Sequence, residues 1–256
     1  MRKQLNGYVV GDEDLWLYDW FEIPAFSPQT VRDAIDSTPD GEELVLEINS
    51  GGGSAFAGFE MYSVLRNATI PTVAEVQSLA ASAASVLMLG CQRVTASPVA
   101  QVMIHLPWTV TEGDRYEHSR SIGVLDSIAE SLLNAYVVKC GNKSTRGELR
   151  SMMRTSTWLT APEAKDLGLV DSILGEESID PSAILNCAGG VCHGIRSMSA
   201  GPMPDADSLR AKYEAMVAAG KAPARNGIGQ EPEPKKDCPD LLEEARARLE
   251  LEKIRF

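Results

Sequence analysis

The stretch Leu46–Leu65, LEINSGGGSAFAGFEMYSVL, decides the fold. It continues from EELV, and across the join Leu44, Leu46 and Ile48 alternate with Val45 and Glu47, the two-residue period of a strand. Gly51, Gly52 and Gly53 end that pattern, after which Phe56, Phe59, Tyr62 and Leu65 recur at helical spacing. Strand, glycine turn and helix together predict one unit of an α/β layer. A second unit follows. PTVAEVQ predicts a strand, and Ser78–Gly90, SLAASAASVLMLG, predicts a buried helix closed by Gly90. Serine is a mediocre residue inside a helix, because its hydroxyl competes for backbone hydrogen bonds, but it suits the first turn. One of Ser78, Ser82 and Ser85 is therefore expected to open this helix.

Upstream, GYVV and LWLYDWF predict extended segments, and Ser27 with Pro28 starts a helix over VRDAID. Downstream, RVTAS and AQVMIHL predict strands around Pro98. A long amphipathic helix, Tyr116–Lys139, carries Ile122, Leu125, Ile128, Leu132 and Tyr136. STRGELRSMM predicts a short helix and LVDSIL a closing strand. Between them TAPEAKDLG predicts a capped helix that starts at Thr160 with Glu163 as its capping-box partner. The sequence thus predicts a domain over residues 1–175, a turn-rich connector over 176–202, and a tail over 203–256. The tail's two helical segments, DADSLRAKYEAMVAAG and PDLLEEARARLELEKIRF, are too weakly apolar for a domain and predict an appendage that docks elsewhere or assembles with copies of itself.

The 256 residues carry a net charge of -12, which argues against binding to a phosphate backbone or an anionic membrane. No nucleic-acid or membrane partner is expected. No apolar segment approaches the roughly 20 residues that cross a bilayer, and the N-terminus turns acidic where a signal peptide is apolar. The expected location is the cytoplasm of the cell that makes the protein, with no secretion. The five cysteines are odd in number and are expected to be reduced thiols. Cys187, Cys192 and His193 cluster at a spacing that fits neither a zinc nor a haem signature, so no metal or cofactor is expected. The glycine run matches neither G-x-G-x-x-G nor G-x-x-x-x-G-K-[ST], which argues against phosphate binding.

Three features bear on chemistry. Of the three histidines, His118 lies in the polar first turns of the long helix and His193 in the tail, whereas His105 ends the apolar strand VMIH just before Pro107. Ser82, at a helix start, would have developing charge eased by the helix dipole, and the amide of Ala83 would face whatever its Oγ attacks. Small neighbours, Ala80, Ala81 and Ala84, leave room for a peptide backbone. Gly52 and Gly53 can present a second N–H without side-chain obstruction. Each feature alone reads as a structural histidine, a cap and a turn. Together they suit a serine hydrolase, and the lack of G-x-S-x-G sets it apart from the α/β-hydrolases.

Four ordered blocks, LEINSGGGSAFAGFEMYSVL, SLAASAASVLMLG, RVTASPVAQVMIHLP and TWLTAPEAKDLGLVDSIL, resemble the ClpP family of serine peptidases over about residues 10 to 175. TWLTAPEA, with Trp158 for the usual Phe, and SLAASAASV are most similar to the phage head-maturation branch. The resemblance implies an α/β, ClpP/crotonase-like fold of repeated ββα units with a protruding handle helix, here followed by a helical C-terminal appendage. It implies Ser82 as nucleophile, His105 as general base and acid, and the amides of Gly53 and Ala83 as oxyanion hole. Gly52, Leu106 and Trp108 would line an extended substrate strand, and Ser85 would be structural. It also implies a ring-like homo-oligomer that cleaves scaffold or capsid precursor inside an assembling procapsid in the host cytoplasm. The sequence departs from the family pattern at Gly51, where the family has proline, at Ala83, where it has methionine, and at Ser156, where it has an acid as the third triad member. The last departure leaves open an inactive oligomerisation module. A housekeeping subunit serving a separate ATPase is the other reading.

Overall fold

Alternating burial makes the central strand: Leu44, Leu46 and Ile48 are fully buried while Val45, Glu47 and Asn49 point away from the core. In the computed structural model, which describes residues 1–175, 205–219 and 254–255, the elements run as follows. β1 (Arg2–Val9), α1 (Leu15–Trp20), β2 (Ala25–Phe26), α2 (Pro28–Asp36), β3 (Leu44–Gly53), α3 (Ala55–Arg66) and β4 (Thr72–Ala81) form the first half. α4 (Ala83–Leu87), β5 (Arg93–Ala96), β6 (Gln101–Ile104), β7 (Trp108–Thr109), α5 (Arg115–Cys140), α6 (Arg146–Arg154), β8 (Thr157–Thr160), α7 (Ala161–Leu167) and β9 (Ser172–Ile173) follow. Beyond them lie α8 (Ala206–Ala218) and β10 (Ile254–Arg255). The result is an α/β architecture on a mostly parallel sheet in the order β2-β1-β3-β4-β5-β9.

β4 has two different neighbours on its far side. Val73–Val76 pair with β5, whereas Leu79–Ala81 pair with β6, which in turn pairs antiparallel with β8. The change coincides with a register shift against β3, from Ile48 opposite Val76 to Ser50 opposite Ala80. β6 therefore leaves the main sheet beside the upper end of β4. The core lies between this sheet and the helices, with Met61, Leu65, Val86, Leu87, Met88, Leu132 and Tyr136 all but fully buried.

Several expectations are corrected. LWLYDWF is not extended: Leu15–Trp20 form α1, because Leu17 and Tyr18 bury against Val10 and against Leu209 and Tyr213 of α8. A short aromatic run fits either period, and that tertiary contact selects the helix. β3 does not end at Gly51 but runs to Gly53, pairing Gly52 with Tyr8 and Gly53 with Val9. A Cβ on Gly53 would lie 2.1 Å from the Val9 carbonyl oxygen, so this glycine serves close strand approach. Ser78–Ala81 belong to β4, and the helix is shorter than expected, Ala83–Leu87 continued by a 3₁₀ turn over Met88–Gly90.

The long helix α5 buries Ile128, Leu132, Leu133 and Tyr136 toward its C-terminal half and exposes Tyr116 and Ile122 near its start. Contrary to the expectation of no such segment, Arg115–Lys143 is long and apolar enough by length and composition to cross a bilayer. Here its buried stripe packs into the core, and Glu130 pairs with Arg146 and Arg150 of α6. Thr160 and Glu163 form a capping box at α7. α8, from the expected tail, docks on α1 through Leu209, Tyr213 and an Arg210–Asp14 ion pair at 2.9 Å. The connector over 176–202, with Cys187, Cys192 and His193, and most of the second tail segment lie outside the described residues.

Candidate active site

Ser82 sits between β4 and α4 with φ 59° and ψ -128°, a conformation an L side chain rarely adopts. Such backbone costs about 1–3 kcal/mol and persists only when its surroundings over-determine it. Here the Ser82 N–H donates to the Met103 carbonyl at 2.9 Å, and its own carbonyl accepts from the Ser85 N–H at 2.9 Å. The bend turns the serine side chain off the end of β4 and across to β6.

Strand pairing supplies the partner. Ala81 is level with Met103 in the parallel β4–β6 pair, so the residues just past each strand end, Ser82 and His105, emerge side by side. His105 Nε2 lies 3.0 Å from Ser82 Oγ. With the imidazole proton on Nδ1, the serine hydroxyl donates to Nε2, the arrangement an activated nucleophile needs. Ser82 is 2% exposed and His105 is half-buried. The pair lies at the protein's surface boundary rather than deep in the core.

Gly52 faces this pair. A Cβ there would come within 2.5 Å of Ser82 Cβ and 2.9 Å of Ser82 Oγ. Only glycine leaves the hydroxyl its space, and the φ of 95° is one that glycine adopts freely. The Gly52 N–H is held internally by Ser50 Oγ at 3.1 Å, while Ser50 Oγ donates to the Gly7 carbonyl at 2.6 Å. Gly53 follows as the last residue of β3. Ala83, the first residue of α4, has an N–H with no intrahelical partner by its position.

Ser156 is placed differently. It lies exposed, with φ 51°, between α6 and β8, and no hydrogen bond joins it to His105 among the described residues. It is nonetheless close in the backbone: the Met153 carbonyl accepts from both the Leu106 N–H at 3.1 Å and the Ser156 N–H at 3.2 Å. Leu106 and Trp108, which follow His105, are 36% and 47% exposed. β7, containing Trp108, pairs antiparallel with β10, matching Trp108 to Arg255 and Thr109 to Ile254. An extended strand thus already lies along the segment after His105. Among the described residues no group of His, Cys, Asp and Glu is arranged to hold a metal ion.

Ser85 is expected to be structural, and Tyr136 belongs to the apolar stripe of the long helix. The structure joins them: Ser85 Oγ donates to the Ser82 carbonyl at 2.7 Å and lies 2.7 Å from the Tyr136 hydroxyl. Both residues are fully buried, and burial pushes the Tyr136 hydroxyl well above the usual phenol range, so it stays protonated. A buried tyrosine needs a partner for its hydroxyl, and that requirement was the available signal.

Residues 33–177 match the family model described as Clp protease. The ATP-dependent Clp protease proteolytic subunit 1 of Chlamydia abortus is 35% identical over 147 residues, covering 55% of this chain and 74% of that protein. Its counterpart in Chlamydia pneumoniae is 36% identical over 141 residues, covering 52% of this chain and 71% of that one. The ATP-dependent Clp protease proteolytic subunit of Bacteroides fragilis is 27% identical over 143 residues, 55% of this chain and 68% of that protein. A bent serine beside a strand-end histidine and a glycine with no room for a side chain are thus embedded in the matched region, and the chain belongs to the Clp protease family.

Proposed function

We propose that this chain is a serine endopeptidase in which Ser82 is the nucleophile and His105 the general base. The carrying observation is the 3.0 Å approach of His105 Nε2 to Ser82 Oγ across two parallel strand ends. His105 takes the hydroxyl proton as Oγ attacks a peptide carbonyl carbon, and the Ala83 and Gly53 N–H groups receive the oxyanion. The tetrahedral intermediate then expels the amine, which takes the proton back from His105. Water, deprotonated by the same imidazole, hydrolyses the acyl-enzyme and frees Ser82. The substrate lies extended along β7, a reading supported by the antiparallel strand β10 on that segment.

The substrate class proposed is scaffold or capsid precursor in an assembling phage head in the host cytoplasm. It is supported by the resemblance of TWLTAPEA and SLAASAASV to the head-maturation branch and by the chain that continues past the family match at residue 177. A ring-like homo-oligomer is part of this reading, with the exposed start of α5, Tyr116 and Ile122, as contact surface. The names of the relatives favour a second reading, a proteolytic subunit that serves a separate ATPase. The exposed Ser156 favours a third, an inactive assembly module.

Labelling with a fluorophosphonate, followed by mass spectrometry of the full chain co-expressed with a capsid precursor, tests these readings. A label on Ser82 and precursor fragments absent from the Ser82→Ala variant are the expected result. No label on folded wild type rejects the peptidase. A label with cleavage of unfolded protein only in the presence of an ATPase selects the second reading.

A further inference from the structure

The Ser82 carbonyl takes two hydrogen bonds from one residue, from the Ser85 N–H at 2.9 Å and from Ser85 Oγ at 2.7 Å. Since the single hydroxyl proton of Ser85 is spent on that carbonyl, the 2.7 Å contact with Tyr136 requires Tyr136 to donate to Ser85 Oγ. The order is fixed: Tyr136 hydroxyl, Ser85 hydroxyl, Ser82 carbonyl. All three residues are buried, so bulk water does not compete for these bonds. The Ser82 carbonyl and the Ala83 N–H belong to one planar trans peptide and point in opposite directions. Holding the carbonyl inward therefore holds the Ala83 N–H outward, on the side of Ser82 Oγ. The positive φ of Ser82 makes this hold necessary, since a relaxed backbone would rotate that peptide.

We propose that Ser85 and Tyr136 are positioning residues that lock the Ser82–Ala83 peptide plane and so aim the Ala83 N–H at the carbonyl oxygen under attack. Neither touches substrate. The relay also ties the nucleophile to α5, because Tyr136 lies in the buried half of that helix. The inference rests on the peptidase reading above, and the relay adds to it a prediction about the tetrahedral stage alone.

The test compares wild type with Ser85→Ala and Tyr136→Phe in the full chain. Three readouts are taken: kcat and KM on a reporter peptide, the affinity of a peptide boronate that forms the tetrahedral adduct, and the affinity of the corresponding peptide amide. Loss of one aimed oxyanion donor costs about 100-fold or more in kcat, so a misaimed one in Ser85→Ala is expected to cost about 10- to 100-fold, with KM within about twofold. Boronate affinity falls in parallel while amide affinity holds, and Tyr136→Phe shifts the same two quantities in the same direction by a smaller factor. A purely structural role would lower the melting temperature without separating boronate from amide affinity, and that result overturns the proposal. Folded variants with wild-type kcat overturn it as well. If Ser85→Ala does not fold, Tyr136→Phe, which keeps the ring volume, decides: unchanged kcat and boronate affinity reject the relay. Wild type that takes no fluorophosphonate at Ser82 removes the peptidase reading and the relay together. Labelled wild type with indifferent variants removes the relay only.

Discussion

Ser156, where the resemblance implies an acid as third triad member, is the proposed site's largest departure from the family pattern. A hydroxyl there can orient an imidazole but cannot stabilise the imidazolium as a carboxylate does, a difference worth several powers of ten in triad enzymes. The backbone is ready for an acid, because aspartate tolerates positive φ better than most residues and the turn is tied to Leu106 through the shared Met153 carbonyl. Ser156→Asp is therefore expected to raise kcat on a reporter peptide by about tenfold or more. An unchanged kcat in the folded variant would mean that His105 is oriented by another group. Ser82 and His105 were legible in the sequence only jointly, with Gly52 and Gly53 and through the family resemblance, because each alone reads as a cap or a structural histidine. Tyr136 was not, because its spacing on α5 is that of any core residue and its partner lies 51 positions away.

At the scale of elements, period and propensity located β1, β3, β4, β5, β6, β9 and most helices, but missed the short strands β2, β7 and β8, put Ile254–Arg255 of β10 in a helix, and misplaced boundaries where tertiary pairing outweighed them. Ser78–Ala81, alanine-rich and helical by propensity, are strand because β6 and β3 flank them. Leu15–Trp20 are helix because α8 covers them, a contact between segments far apart in the chain. The apolar stripe expected on α5 divides in the structure: Ile128, Leu132 and Tyr136 are buried in the core, whereas Ile122 is 60% exposed. Leu132→Ala is expected to cost about 2–5 kcal/mol in urea unfolding through the cavity it leaves. Ile122→Ala should stay within about 0.5 kcal/mol. A large effect at Ile122 would show that the start of α5 is covered in solution.

For the whole molecule, alkaline stability follows from a buried thiol. Burial pushes Cys91 up from 9.0 to about 12. A raised folded pKa means that the native state keeps the proton while the unfolded chain releases it, so this contribution is complete below pH about 9 and is lost as pH rises toward 12. Urea midpoints measured between pH 8 and 11 should decline, and more steeply in wild type than in Cys91→Ala. Equal slopes would exclude the thiol as their source. The register shift in β4 has a consequence of another kind. Between the levels of Val76 and Ala80 this strand advances two residues more than β3. Excising two residues there would leave every side chain on its original face yet draw Ser82 back by about 6.6 Å, clear of the His105 imidazole. The segment works as a spacer whose length, more than its composition, decides where Ser82 sits.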